Sequence, residues 1–506
     1  MKRNIKILSV TIVLVTAVIF ACNKKLDITD QNNPTTESYF KTAAELQNGV
    51  NGVYSIMRAG NLWGREGFYF HETRGGEMAP GGPQLGSAYQ EVLLQPSPST
   101  TNGLIGEMWT GSYQMINRAN LVISKGPDVT DNTALRDVTV GEAEFLRAWA
   151  YFELVVHWGD VPLYTEPVTS PSGYKAKSPA ADVYKLILSD LTDAASKLPP
   201  VAADQGRATK GAAYALLGRV EMQKGDYAAA KTALLNDYGK YTLVPFSNNF
   251  DGDVKVGSAV LTVGHEFNAE SIFEIPFVDK GDGGFNWGYT GEGPTADQSS
   301  MRSQEYGIIW GNVIPSDQVL DEFEANDPRF KYTFYESGDI ALTMGGTAPG
   351  MVLTEASMNV AQSDHNGVKK KRVYRKYSKL DWDNNGSNLG SGINTRIFRY
   401  PDVLLMLAEC EAEVGTPAQA ASYINEVRSR PGVNMPPVTL GSHDAAINAV
   451  MHEYAVEFAG EERADVNILR WRAKGYYPSI RPDPTPGQVS LLPIPSIETS
   501  TNPLIK

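Results

Sequence analysis

Two stretches of the sequence, YALLGRVEMQKGDYAAAKTAL (residues 214–234) and LLMLAECEAEVGTPAQAASYINEV (residues 404–427), share one pattern. In each, an apolar run with helical spacing ends at a glycine, and a small alanine stands five residues after that glycine. This spacing is typical of a tetratricopeptide-like unit, in which a glycine turn separates two helices and the alanine allows them to pack closely. Because such a pair cannot bury its apolar faces alone, the pattern predicts a mainly α-helical scaffold of stacked pairs, with long irregular loops and a few short strands.

Helical periodicity continues outside the two pairs, most strongly in EAEFLRAWAYFELVVHWGDVPLYTEP (residues 142–167). Phe145, Trp149 and Phe152 follow one another at steps of three or four, and a second apolar row lies beside them. A helix that is apolar around most of its circumference is a buried helix. Pro162 cannot continue a helix, so we expect this one to end near residue 159.

The same segment carries acidic and basic side chains that could suggest an active site. Glu144 and Arg147 are three residues apart, and we expect them to pair on the helix surface. His157 stands at the predicted helix end, where a hydrogen-bonded structural role is more common than catalysis. We therefore interpret the segment as a packing element.

The amino terminus has the pattern of a bacterial lipoprotein signal. Residues 1–21 combine a basic start with an apolar run that stops at Cys22. This pattern predicts export, cleavage before Cys22 and lipidation of that cysteine. The polar segment 22–36 is the expected tether, and Cys410, within an apolar helical run, is expected to be a buried thiol.

The formal net charge of the chain is −13, and removal of the basic residues in 1–21 makes the mature chain more acidic still. An acidic chain without a long basic run is a poor ligand for nucleic acid or for an anionic membrane surface. We therefore expect contact with the membrane through the lipid anchor only.

The remaining chain, residues 37–506, is expected to form one domain, and its composition divides that domain into three parts. Helical patterns dominate about 37–238 and about 401–506, whereas glycine, asparagine and aromatic residues dominate about 239–400. Long loops on a rigid scaffold commonly carry function, so we expect the ligand site in the loop-rich part. A second loop-rich stretch lies at residues 61–90.

Aromatic and polar residues in these loops are the candidate ligand-binding groups. An aromatic ring offers a flat face to the C–H side of a sugar ring, and nearby amide or charged groups bind its hydroxyls. The candidates for stacking and for hydrogen bonding are Trp287, Tyr289, Trp310, Tyr306, Trp63, Tyr89, Asn286 and Arg302. The alternative is that each aromatic residue covers the core beneath its own loop.

The sequence contains no recognisable catalytic or cofactor motif. The histidines lack metal-binding spacing, and there is no nucleophile elbow, phosphate-binding loop or dinucleotide fingerprint. Asp381, Asp383 and Asn385 resemble the start of a calcium loop, but Gly392 stands where the loop needs a glutamate. We expect no enzyme activity and no cofactor, with calcium as a minor alternative.

The sequence resembles the SusD/RagB family of nutrient-binding outer-membrane lipoproteins. AEFLRAWAYFELVVHWGDVPL is similar to a family signature, and further similar segments follow the family order over nearly all of the mature chain. They are LDITDQNNPTTESYFKTAAELQNGVNGVY, GRATKGAAYALLGRVEMQKGDYAAA, RYPDVLLMLAECEAEVGTPAQAASYINEVRSR, EYAVEFAGEERADVNILRW and LLPIPSIETSTNPLI. The chain departs from the family at Glu462, where a glycine is frequent, and at Asn467, where an aspartate is frequent.

The resemblance implies a function and a partner. A member of this family captures glycan at the cell exterior, anchored in the outer membrane through its lipid, and passes it to a SusC-like TonB-dependent transporter. Two alternatives stay open: capture of peptides by the same scaffold, and a surface hydrolase with two carboxylates brought together in space. The resemblance itself assigns only Cys22, as the lipidation site.

Overall fold

The computed structural model describes residues 39–82, 85–251, 254–256, 259–278, 299–306, 311–341, 351–378 and 390–505. The predicted signal peptide, Cys22 and the tether lie outside these residues. So do Asn286, Trp287, Tyr289, Trp310 and the candidate calcium ligands Asp381, Asp383 and Asn385.

Helices dominate the described residues, as the periodicity predicts. The helices are α1 (Ala43–Met57), α2 (Glu66–Arg74), α3 (Ser87–Leu94), α4 (Gly103–Lys125), α5 (Thr133–Trp158), α6 (Ala180–Lys197), α7 (Lys210–Lys224), α8 (Tyr227–Leu234), α9 (Arg302–Tyr306), α10 (Asp317–Asp321), α11 (Arg329–Thr333), α12 (Tyr400–Val414), α13 (Pro417–Arg428), α14 (His443–Phe458), α15 (Ala464–Ala473), α16 (Tyr476–Ser479) and α17 (Ser496–Thr501). Among these helices, none has the length and apolar character that a membrane span requires.

The strands are short and lie mostly between α8 and α12. They are β1 (Met78–Pro80), β2 (Val161–Pro162), β3 (Lys177–Ser178), β4 (Val254–Val256), β5 (Ala259–Thr262), β6 (Ser271–Ile275), β7 (Val313–Pro315), β8 (Phe334–Glu336), β9 (Ile340–Ala341), β10 (Met351–Val352), β11 (Gln362–His365), β12 (Val368–Tyr374) and β13 (Thr395–Arg399). Antiparallel pairing joins β1 to β7, β2 to β3, β4 to β5, β6 to β13 and β9 to β10, and β12 lies between β8 and β11.

Helix α5 is the centre of the first half of the fold. It packs against α1, α4 and α6, and every residue from Thr139 to Trp158 is buried. The expected pair of Glu144 with Arg147 is wrong, because both residues point into neighbouring helices. Arg147 forms a bidentate ion pair with Asp190 at 2.7 and 2.8 Å, and Glu144 pairs with Lys197 at 2.8 Å. The charged side chains of a buried helix form ion pairs with neighbouring helices, because the helix has no solvent-facing surface on which two of its own side chains could pair.

The two tetratricopeptide-like pairs are confirmed as α7–α8 and α12–α13, and they pack against each other through α8 and α12. Gly225 ends α7 with φ of +83°, a conformation that side chains other than glycine adopt at a cost. A Cβ on Gly218 would lie 2.4 Å from Leu234, so its absence allows α7 and α8 to approach closely. Cys410 is fully buried within α12, as expected for a thiol that packs as a small apolar group.

A fully buried group of charged side chains ties the strand-rich part to the helices that follow it. Arg399, at the end of β13, contacts Glu270 at 2.8 Å, Glu457 at 2.6 Å and Glu461 at 2.7 Å. Arg430 also pairs with Glu270 and Glu457. All five side chains have no exposed surface, so each charge depends on its partners instead of water. We call this group the Arg399 network.

The carboxyl-terminal segment returns to the first helices. Leu492 N donates to His157 O at 2.7 Å, and Ser496 N donates to Thr100 O at 2.7 Å. The indole N–H groups of Trp109 and Trp158 donate to Glu498 Oε2 and to Pro493 O, each at 3.0 Å. The end of the chain therefore completes the packing of α4 and α5.

Asp237, which follows α8, is predicted to make stability depend on pH. It is 2% exposed, and among the described residues none donates a hydrogen bond to its Oδ2. Burial raises the pKa of this carboxyl to about 8. Because the carboxyl ionises near its ordinary pKa of 3.8 in the unfolded chain, the folded state loses stability as pH rises from about 4 to about 8.

Asp237→Asn is therefore expected to raise the free energy of unfolding by about 1–3 kcal/mol at pH 8.5 and to change it little at pH 4. Urea unfolding followed by circular dichroism at both pH values measures the difference. The exposed Asp128→Asn serves as the control. An Asp237→Asn effect that is equal at the two pH values would contradict an ionisation-linked cost.

Candidate functional site

Two segments that lie outside the described residues begin or end at one place. The chain leaves the described part at Val278 and re-enters at Ser299, and Ser299 Oγ donates to Val278 O at 2.7 Å. Next to it, Ser300 and Ser391 exchange two backbone hydrogen bonds of 2.7 and 2.8 Å. The segment that precedes Gly390 therefore re-enters the fold beside the ends of the segment that carries Trp287 and Tyr289.

Two shorter segments outside the described residues also begin and end beside these residues. Asn312 N donates to Glu305 O at 3.1 Å, which joins the two sides of segment 307–310. Gly81 N donates to Asn312 O at 2.9 Å, where β1 pairs with β7. We call the described residues Gly81, Val278, 299–306, 311–315 and Ser391 the loop-end surface, of which Val278 is exposed and the other residues are buried.

A cluster of charged and aromatic side chains lies against the loop-end surface; its members are Arg65, Glu66, Tyr69, Tyr89 and Glu305, and we call it the Arg65 cluster. Arg65 Nε donates to Glu305 Oε1 at 2.9 Å, and its Nη1 donates to Glu66 Oε1 at 3.0 Å. The Tyr89 hydroxyl accepts from Arg65 Nη1 at 2.5 Å and donates to Glu66 Oε1 at 2.9 Å. The rings of Tyr69 and Tyr89 lie 4.4 Å apart at 30°. These contacts fix the orientation of Tyr89.

Exposure differs sharply within the Arg65 cluster. Glu66, Tyr69 and Glu305 are buried, whereas Arg65 and Tyr89 are partly exposed. Burial lowers the pKa of Arg65, but the neighbouring Glu305 and Glu66 outweigh it, and the net pKa lies above its ordinary value. Burial raises the pKa of Glu66. Arg65, whose side chain is 13% exposed, and Tyr89 are therefore the members of the cluster that reach solvent, and the buried carboxylates support them from below.

A cleft of about 370 Å³ opens at the other end of the β1–β7 pair. The side chains of Gln95, Gln318 and Gln488 line it together with Ser316 and Thr485, and among the described residues that line it none is charged. Amides and hydroxyls next to proline and aliphatic side chains suit an uncharged, hydroxyl-rich ligand. The cleft and the Arg65 cluster are joined through the β1–β7 pair.

Three of the predicted binding residues are in the core, and their assignment to ligand contact is corrected. Trp63 is 4% exposed and stacks on His71 with ring centroids 5.2 Å apart. Tyr306 is 1% exposed and packs edge-on against Phe68. Arg302 is 2% exposed and pairs with Glu462. These side chains pack in the core, and Arg302 and Tyr306 belong to α9 and not to a loop, so a packing role replaces ligand contact for all three.

Tyr89 is the predicted binding residue that the structure places, partly exposed, beside the loop-end surface. Trp287, Tyr289, Asn286 and Trp310 belong to segments outside the described residues, and their role stays a prediction. Sequence reasoning missed Arg65, Glu66 and Glu305. No local signal marks them, because Arg65 and Glu305 are 240 positions apart.

Comparison with known proteins gives concordant results. A family model described as "SusD family" matches residues 269–490. A second family model, described as "Starch-binding associating with outer membrane", matches residues 25–222. SusD-like protein P2 of Formosa agariphila is 28% identical over 490 residues, covering 92% of this chain and 92% of that protein.

Solved structures show the same architecture. A SusD superfamily protein from Bacteroides vulgatus superposes with a TM-score of 0.72 at 24% identity, over 92% of this chain and 99% of that one. A laminarin-binding SusD-like protein superposes with a TM-score of 0.71 at 25% identity, again over 92% and 99%. With the tetratricopeptide-like pairs in place and both halves matched by SusD models, the chain belongs to the SusD family.

Proposed function

We propose that the protein is a non-enzymatic lipoprotein of the outer-membrane surface. It captures oligo- or polysaccharide and delivers the glycan to a partner SusC-like TonB-dependent transporter. The observation that carries the proposal is the loop-end surface, where the partly exposed Tyr89 and Arg65 stand beside the ends of the aromatic-rich loop segments. Membership of the family, and a laminarin-binding relative of the same architecture, support a glycan as the ligand.

The ligand site is proposed to combine described and sequence-assigned residues. Tyr89 offers a ring whose orientation is fixed by Arg65, Glu66 and Tyr69. Trp287, Tyr289 and Trp310 would supply further stacking faces, and Asn286 would bind hydroxyls. Rings held in place before the ligand arrives lose little conformational freedom on binding, which favours affinity for a weakly interacting sugar.

Calorimetric titration against a panel of polysaccharides, oligosaccharides and peptide digests tests this function. We expect heat of binding with one class of glycan, and no continuing heat of the kind that turnover produces. Binding to peptides alone would replace glycan capture by peptide capture. Heat that continues after saturation, with a shortened polymer as the product, would overturn the non-enzymatic assignment.

Tyr89→Ala is expected to weaken binding of the identified glycan by about 1 kcal/mol, or about fivefold, because one stacking face is lost. Tyr89→Phe keeps the ring but removes the hydrogen bonds to Arg65 and Glu66, so a smaller loss is expected. Calorimetry measures both dissociation constants, and Tyr238→Ala, on an exposed ring outside the loop-end surface, is the control. Equal affinities of Tyr89→Ala and the control would remove Tyr89 from the site.

A further inference from the structure

Three side chains from distant parts of the sequence meet in the interior between α2, α5 and α15. His71 Nδ1 and His157 Nε2 each lie 2.9 Å from the same oxygen, Asp465 Oδ2. The three atoms lie within 4.8 Å of one another, and all three residues are buried, at 2%, 0% and 2% exposure. We call this group the His–His–Asp cluster.

The other ring nitrogen of each histidine faces one residue, Glu153. His157 Nδ1 lies 2.8 Å from the Glu153 carbonyl oxygen, and His71 Nε2 lies 3.3 Å from Glu153 Oε2. The other carboxylate oxygen of Glu153 accepts from the indole N–H of Trp149 at 2.9 Å, which fixes the carboxylate. His157 can thus donate its Nδ1–H to the Glu153 carbonyl, whereas His71 Nε2 and Glu153 Oε2 are both buried and form no hydrogen bond with any described residue.

With the Nδ1–H of His157 donated to the Glu153 carbonyl, the lone pair of a neutral His157 faces Asp465 Oδ2, and His71 Nδ1 faces the same oxygen. Three lone-pair-bearing atoms that converge without water need positive charge between them. Protons on both facing nitrogens would supply it, but they would make His157 an imidazolium, and a hydrogen bond from His71 to Glu153 would add a second imidazolium with its ring centroid 5.5 Å away. Like charges at that separation, away from solvent, repel each other strongly. A single divalent cation balances the two carboxylates without that repulsion.

We infer that His71, His157 and Asp465 form a binding site for a zinc-class divalent transition-metal ion. Imidazole nitrogen and one carboxylate oxygen are ligands that Zn²⁺ accepts, whereas Mg²⁺ and Ca²⁺ prefer oxygen alone. Glu153 takes the position that an orienting carboxylate commonly has behind a ligating histidine. Trp63 stacks on His71, and Phe70 packs on His157 at 4.7 Å, so both rings are held in place.

The site would act in assembly of the fold and not in ligand capture. Its ligands come from α2, from the end of α5 and from α15, so the ion would join segments that are far apart in sequence. An unfolded chain does not hold these ligands together, and the free energy of metal binding is therefore added to that of folding. Because the cluster is buried, the ion would enter as the chain folds.

Refolding of the full-length chain, without a histidine tag and in detergent, tests the site. The chain is refolded from urea with Zn²⁺, with Co²⁺ or with a chelator, and then dialysed. We expect one equivalent of Zn²⁺ per chain after dialysis, a visible Co²⁺ absorption typical of low coordination number, and a higher urea midpoint with metal than with chelator. His157→Gln and Asp465→Asn are expected to lose the bound metal, and Glu153→Gln to bind it about 10–100-fold more weakly.

The exposed His443→Gln is the matched control and is expected to retain the metal. The comparison of metal-loaded and chelator-treated wild-type protein needs no variant, so it decides the question even if a substitution prevents folding. Equal urea midpoints and no retained metal in the wild-type chain would overturn the proposal. That outcome would identify the cluster as two histidines that hydrogen-bond to Asp465 without a metal ion.

Discussion

Replacing Arg399 by methionine is expected to lower the free energy of unfolding by about 3–5 kcal/mol, the typical cost of breaking a buried ion pair on one side. Arg399 contacts Glu270, Glu457 and Glu461 with no exposed surface on any of the four side chains. Its removal leaves these carboxylates with fewer positive partners and no water. Methionine fills much of the volume, so the effect reports on charge more than on a cavity.

Urea unfolding at neutral pH, followed by circular dichroism and by tryptophan fluorescence, measures this effect. Lys224→Met is the matched control, because Lys224 pairs with Glu221 on the surface and retains 30% side-chain exposure. A surface pair contributes about 0–1 kcal/mol, so this control is expected to change stability little. If Arg399→Met and Lys224→Met have the same urea midpoint, the Arg399 network does not hold the strand-rich part to the helices.

The second large effect concerns the ligand. Trp287→Ala and Trp310→Ala are each expected to weaken glycan binding by about 1–3 kcal/mol, which is about 5- to 150-fold in dissociation constant. An indole gives the largest stacking face for a sugar ring, and both residues belong to segments that begin and end at the loop-end surface.

Calorimetry with the identified glycan measures both dissociation constants. Trp→Phe at each position is the graded control, because phenylalanine keeps a smaller stacking face and should lose less affinity. Urea midpoints equal to that of the wild-type chain would exclude unfolding as the cause of a loss. Unchanged affinity in both alanine variants would show that these tryptophans do not contact the glycan, while leaving glycan capture by other residues intact.

The helical scaffold could be predicted from the sequence because its signals are local. The spacing around Gly225 and around Gly415 predicted the two helical pairs, and the apolar rows of residues 142–167 predicted the buried helix α5. Each pattern repeats within a few turns of chain, so it needs no knowledge of partners. The resemblance to the SusD/RagB family rests on the same kind of local motif.

The partners of charged residues could not be predicted, because they are distant in sequence. Arg399 lies 129 positions from Glu270 and 58 from Glu457. Glu144 and Arg147 looked like a local pair, yet each is bonded to α6. Composition likewise could not distinguish an aromatic residue that covers the core, such as Trp63, from one that is partly exposed, such as Tyr89.

One departure from the family pattern has a structural counterpart. Glu462 stands where family members often have glycine, and its φ is +57°, within the left-handed region that favours glycine. Its backbone N–H donates to Glu72 Oε1 at 2.7 Å, and its side chain pairs with Arg302. A glycine would donate the same backbone N–H, so the buried ion pair with Arg302 is the contact that depends on the glutamate and offsets the backbone strain.

The return of the carboxyl-terminal segment to α4 and α5 determines when the polypeptide can complete its fold. Among the described residues, the indole N–H of Trp109 has its acceptor at Glu498, and that of Trp158 has its acceptor at Pro493. A nascent chain therefore keeps the first helical layer incomplete until residues 493–498 have been synthesised. Native contacts between these two regions join residues that are far apart in sequence, and such contacts slow folding. Completion of the first helical layer is therefore expected to be among the last steps of folding.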